Sequence, residues 1–124
     1  MIQGAGIDIV EVDRIAEKLF KDTGFKELVF SPDEIDYCEK MINKFEHYAV
    51  RFAAKEAFFK ALGTGWSEQA SFNEVEIFHE ETGKPCLRLL GKTNELRSSF
   101  NITKILVSLS HIKSMATAIV IIEK

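Results

Sequence analysis

An α+β fold, with helices packed on one face of an antiparallel sheet, follows from three features of this 124-residue sequence. Both ends alternate as strands do, the middle carries a helical period that stops at glycines, and two turn-forming stretches join apolar runs in pairs. In order, the elements read β α α α β β α β β, in one domain spanning residues 1–124.

The first strand is Ile2 to Val10, IQGAGIDIV. Asp8 is out of place in it, because aspartate is depleted in strands and Ile7, Ile9 and Val10 favour burial. Either the carboxylate faces solvent or the fold holds it at a strand end for a cation, and composition does not decide between them. From Glu11 to Phe20 the period changes: Val12, Ile15, Ala16 and Leu19 recur at i, i+3, i+4 and i+7, while Arg14, Lys18 and Lys21 form a basic stripe on another face. Such a stripe is a solvated helix face or a dock for an acidic partner. Ser31-Pro32-Asp33-Glu34 starts a second helix, with a serine cap, proline at the first position and glutamate placed for a capping box, running to about Met41.

The third helix centres on RFAAKEAFFKALGTG, residues 51–65, with Gly63 or Gly65 as its left-handed terminator. At about 100° per residue, Phe45, Tyr48, Phe52 and Phe59 make one apolar arc, and Val50, Ala53, Ala54, Ala57 and Ala61 make another. A helix apolar on two sides packs on two sides. Glu56 and Lys60 share the narrow stripe between the arcs, either as an ion pair one turn apart or as a metal ligand and a phosphate contact.

Past a loop at Trp66 to Ala70, Phe72 to Glu80 reads as a strand with one wet face, and Thr82-Gly83-Lys84-Pro85 turns it into a second strand at Cys86 to Leu90. A modest helix covers Gly91 to Phe100. Ile105 to His111 and Ala116 to Ile122 are two further strands joined by a turn at Ile112 to Met115. The final strand has no charge before Glu123, so it is covered on both faces or paired with another subunit. His111 at a strand end is a turn hydrogen-bonder or a catalyst.

An apolar fraction of 46% with 28% charged residues excludes disorder, and the most apolar run is too short to span a bilayer. The net charge of −3 argues against a general nucleic-acid binder. Cys38 and Cys86 are isolated, which disfavours zinc and a disulfide and marks both as core thiols. No basic leader precedes the first strand, and the expected location is the cytoplasm.

The runs GIDIVEVDRI at 6–15, RFAAKEAFFKALGTG at 51–65, TGKP at 82–85 and VSLSH at 107–111 together resemble the holo-[acyl-carrier-protein] synthases, the small bacterial type of 4'-phosphopantetheinyl transferase. The resemblance implies that fold, and transfer of the 4'-phosphopantetheine arm of coenzyme A to a serine of apo acyl carrier protein. It implies Mg²⁺ on Asp8 and Glu56, with Lys60 and His111 completing the catalytic set. It also implies coenzyme A contacts from Arg51, Lys55, Lys60, Gly63, Thr64, Gly65, Lys84, Pro85 and His111, carrier docking by Arg14, Lys18 and Lys21, and a homotrimer with sites at subunit boundaries. The turn Ile112-Lys113-Ser114-Met115 departs from the family's usual sequence. A non-catalytic trimer that binds coenzyme A or an acidic partner, and a metal-dependent phosphohydrolase, are the competing functions.

Overall fold

The computed structural model describes residues 1–63 and 70–124. Strand β1 (Ile2–Glu11) leads into α1 (Val12–Phe20), the short α2 (Phe25–Val29), α3 (Pro32–Glu39) and the long α4 (Lys44–Leu62). The hairpin β2 (Val75–His79) and β3 (Pro85–Leu89) follows, then the single-turn α5 (Leu96–Ser99) and a second hairpin, β4 (Lys104–His111) and β5 (Met115–Glu123). The expected α+β architecture is present, but as two antiparallel sheets: β1-β5-β4, and β2-β3 by themselves.

The apolar last strand is central, paired with β1 and β4, so its edges are used within the chain. Its alternate residues Ala116, Ala118, Val120 and Ile122 are buried in the core. The opposite face of the sheet stays open, with Ile7 and Ile9 each 63% exposed and Ile119 39% exposed. Ile7 stands directly across from Ile119, so these side chains form one apolar patch.

Helix α4 lies across the covered face. Its latter half, Ala53 to Ala61, packs with the sheet and the β2-β3 hairpin, while Tyr48, Ala49 and Val50 join Val12, Ile15, Phe30 and Cys38 in a second cluster. The two-sided packing expected for this helix therefore divides between two clusters along its length. Gly4 and Gly6 explain how closely it approaches β1. A Cβ on Gly4 would overlap the carbonyl oxygen of Ala61, and one on Gly6 would overlap that of Ala57.

Other local expectations meet mixed outcomes. Ser31 and Glu34 form both bonds of the capping box, and Gly63 ends α4 at φ 81°. The helix α2 escapes detection because five residues show no period. The helix expected at Gly91 to Phe100 is instead a 3₁₀ turn, Gly91–Glu95, followed by one α-turn. There the Glu74 carboxylate holds the Thr93 amide at 3.1 Å and its hydroxyl at 2.6 Å. Cys38 is a core thiol whose pKa burial pushes up to about 12. Cys86 is only half-buried, with Sγ 3.4 Å from Glu80 Oε1.

Candidate active site

Alternation along β1 turns Gly4, Gly6, Asp8 and Val10 toward α4, which leaves Asp8 as the carboxylate on the covered face. Its side chain is 16% exposed, against 54% for Lys60. The close approach at Gly6 brings it beside the one polar stripe of α4. Asp8, Glu56 and Lys60 line one cleft of about 330 Å³ with Arg14, Lys18 and Phe52. Residues 48 positions apart in the chain, Asp8 and Glu56, thus meet in space.

Lys60 does not close onto Glu56. Its ammonium donates to Asp8 Oδ1 at 2.9 Å and to the Ile7 carbonyl at 3.2 Å. Burial, and then the nearby Asp8 charge, raise the Glu56 pKa above the usual carboxylate range, with Lys60 and Lys18 opposing. The Asp8 pair raises the Lys60 pKa in turn. Two carboxylates in one cleft, one of them short of neutralising charge, suit a hard divalent cation. No group of three or more His, Cys, Asp or Glu side chains able to hold a metal exists among the described residues. A pair of carboxylates is the donor set that Mg²⁺ accepts when water and substrate oxygens fill its other positions.

The basic stripe of α1 divides between surroundings. Arg14 and Lys18 line the cleft, and Lys18 Nζ lies 5.5 Å from the Phe25 ring centroid and 5.9 Å from that of Phe52. Lys21 caps the far end of the helix.

His111 does not line this cleft. Its Nδ1 is 2.8 Å from Glu46 Oε1, and its ring is 5.4 Å from that of His47. His47 and His79 pack against Tyr37, so the chain's three histidines lie along one aromatic row. Burial, and the guanidinium of Arg51, lower the pKa of both His47 and His79. Arg51 itself is buried, 4.4 Å from the Tyr37 ring centroid, and its Nε finds no partner among the described residues. Sequence reasoning passed over His47, His79 and Tyr37, because they become neighbours only through tertiary packing.

Lys55 corrects the coenzyme A contact expected of it. The side chain is wholly buried, and its ammonium donates to Glu34 Oε1 at 2.7 Å, to the Phe72 carbonyl at 3.0 Å and to the Val75 carbonyl. Three donors have three protein acceptors, which leaves none for a ligand. Glu34 in turn accepts from the amides of Ser31 and Ile77, and Ser31 Oγ donates to Glu76, which pairs with Arg88 at 2.6 Å. Glu76 is buried in this network. Its task is to tie α3, α4 and β2 together beneath the site.

Lys84 and Pro85 sit at the exposed β2-β3 turn, where Gly83 has φ 89°, and neither lines the cleft. Gly63 caps α4 one turn beyond Lys60. Thr64 and Gly65 lie outside the described residues.

The chain as a whole is similar to known proteins of one family. Residues 4–120 match the model of the 4'-phosphopantetheinyl transferase superfamily. The holo-[acyl-carrier-protein] synthase of Syntrophus aciditrophicus is 45% identical over 99% of this chain and 97% of its own length. That of Cytophaga hutchinsonii is 44% identical over 100% of this chain and 99% of its own. Among solved structures, the Neisseria meningitidis holo-[acyl-carrier-protein] synthase superposes with a TM-score of 0.92 at 33% identity, covering 100% of both chains. The Helicobacter pylori enzyme in complex with coenzyme A gives a TM-score of 0.85 at 33% identity, covering 96% of this chain and 99% of its own. With a match along nearly its whole length and an acidic pair meeting a lysine in one cleft, the chain belongs to the 4'-phosphopantetheinyl transferase superfamily.

Proposed function

We propose that this protein is a Mg²⁺-dependent holo-[acyl-carrier-protein] synthase, which moves the 4'-phosphopantetheine arm of coenzyme A onto a serine of apo acyl carrier protein. The observation that carries this reading is the convergence of Asp8, Glu56 and Lys60 in one cleft, in a chain that resembles such synthases along its whole length.

In the reaction the serine oxygen bonds to the β-phosphorus of coenzyme A. The bond from that phosphorus to the bridging oxygen breaks, and adenosine 3',5'-bisphosphate leaves. Asp8 and Glu56 would hold Mg²⁺, which would supply positive charge against the donor's diphosphate. Lys60, whose side chain is half exposed on the cleft rim, donates to phosphoryl oxygens. Glu56, directly or through a water, helps remove the serine proton. Arg14 and Lys18 present positive charge beside the cleft, and Lys21 extends it at the C-terminal end of α1, which suits docking of an acidic carrier helix.

His111, Arg51, Gly63, Thr64, Gly65, Lys84 and Pro85 complete the coenzyme A site. Arg51 is buried, so it acts on the site through His47, whose carbonyl oxygen accepts from its Nη1 at 3.3 Å. The chain works as a homotrimer with each site at a subunit boundary. Support comes from the open apolar face of the β1-β5-β4 sheet, and from Ile9, which borders both the acidic cleft and the shallow pocket beside His111. The reaction runs in the cytoplasm, a setting that suits two free cysteines. No helix among the described residues is long and apolar enough to cross a membrane.

The decisive assay incubates apo acyl carrier protein with coenzyme A and Mg²⁺ and follows carrier mass. The carrier gains the mass of the arm, and Asp8→Asn lowers the rate at least about a hundredfold. An unchanged carrier, or near-normal turnover by Asp8→Asn, defeats the proposal.

A further inference from the structure

Lys60 holds Asp8 in a way that phosphate binding alone does not require. Its ammonium is 2.9 Å from Asp8 Oδ1 and 3.2 Å from the Ile7 carbonyl oxygen, so two of its three donors are spent on β1. Resting on the metal reading above, we propose that Lys60 is a resident counter-ion of the metal-free enzyme, which the incoming divalent cation must displace from Asp8.

The physical case has three parts. Asp8 Oδ1 is the atom a metal needs, and two cations at one oxygen repel each other strongly inside a partly desolvated cleft. Of the two partners, Asp8 is the fixed one. Its strand pairs it with Ala118, and its carbonyl accepts from Thr117 Oγ1 at 2.8 Å. Lys60 is the mobile one, with a flexible stem on a half-exposed side chain. The same lysine lines the cleft with Glu56, so its charge opposes the repulsion between the two carboxylates until a stronger cation arrives. Displacement then frees the donor held by Asp8 Oδ1 inside the cleft where the donor phosphates bind. Metal loading and release of Lys60 become one event, which orders metal before coenzyme A.

Lys18 provides the control, because it lines the same cleft and acts on Glu56 yet is bonded to neither carboxylate among the described residues. Mn²⁺ is titrated into the full-length protein without coenzyme A or carrier, and bound metal is read by calorimetry and water-proton relaxation. Lys60→Met tightens binding about three- to tenfold, the equivalent of a lost ion pair, whereas Lys18→Met changes it less than about twofold. In wild type, Mg²⁺ also shifts the Lys60 ¹⁵Nζ resonance, and in Asp8→Asn it does not. Equal or weaker binding by Lys60→Met, or an equal gain from Lys18→Met, overturns the displacement while leaving the metal site standing. Wild-type binding that survives Asp8→Asn unchanged, or that is absent altogether, removes the metal site and the displacement with it.

Discussion

Glu56 is kept as a carboxylate at a cost to the metal-free fold. Burial and the Asp8 charge both favour its protonated form, so the folded protein binds a proton there more readily than the unfolded chain does. The sign follows from linkage: a carboxyl whose folded pKa is raised destabilises the fold above its unfolded pKa, and the penalty fades as pH falls through the raised value. Glu56→Gln should therefore raise the melting temperature of metal-free protein at neutral pH by about 1–3 °C, a modest figure because solvent screens the half-buried group. The gain should shrink in mildly acidic buffer, and scanning calorimetry at two pH values reads both effects. A lower melting temperature at neutral pH would show that Glu56 is a stabilising residue rather than one held for chemistry. Transfer by this variant should fall by at least about two orders of magnitude in the mass assay.

At the scale of elements, the site depends on how near α4 lies to β1. Gly6 permits that approach: an added Cβ would run into the Ala57 carbonyl and come within 2.7 Å of the Ala61 amide nitrogen. Backbone on both sides cannot yield as a side chain tip would. Gly6→Ala should cost about 2 kcal/mol or more in urea unfolding. It should also depress transfer about a hundredfold at saturating coenzyme A, since a displacement of about 1 Å separates the groups that must act together. Wild-type stability and rate in this variant would mean that the helix has room to spare. Beneath the same helix, the buried Lys55–Glu34 pair joins α4 to α3 and β2. Removing either partner alone strands a charge in the core.

For the whole molecule, the open face of the sheet is the feature a monomer leaves unexplained. Ile7, Ile9 and Ile119 stand together on it, and exposed apolar patches of this kind commonly mark an interface. Ile119→Lys should convert a trimer of this chain to monomers in light scattering, with transfer lost in parallel while circular dichroism stays unchanged. A wild-type protein that runs as a monomer, or a variant that stays assembled and active, would remove the proposed boundary site.

Much of this protein was legible from local order. Alternation in residues 2–10, the serine and glutamate of the capping box, the glycine that ends α4 and the apolar period of α1 are short-range signals, and each has its expected counterpart in the structure. Asp8 and Glu56 stood out as carboxylates in apolar settings, and the matched runs paired them, yet neither setting shows that the two face one cleft. Only packing decided that, along with which lysine of α4 reaches the cleft. Lys55 and Lys60 are five residues apart, and sequence reasoning gave both to coenzyme A. The fold turns Lys55 into three buried acceptors and Lys60 onto Asp8, because a helix rotates about 100° per residue and the layers around it determine which direction is core.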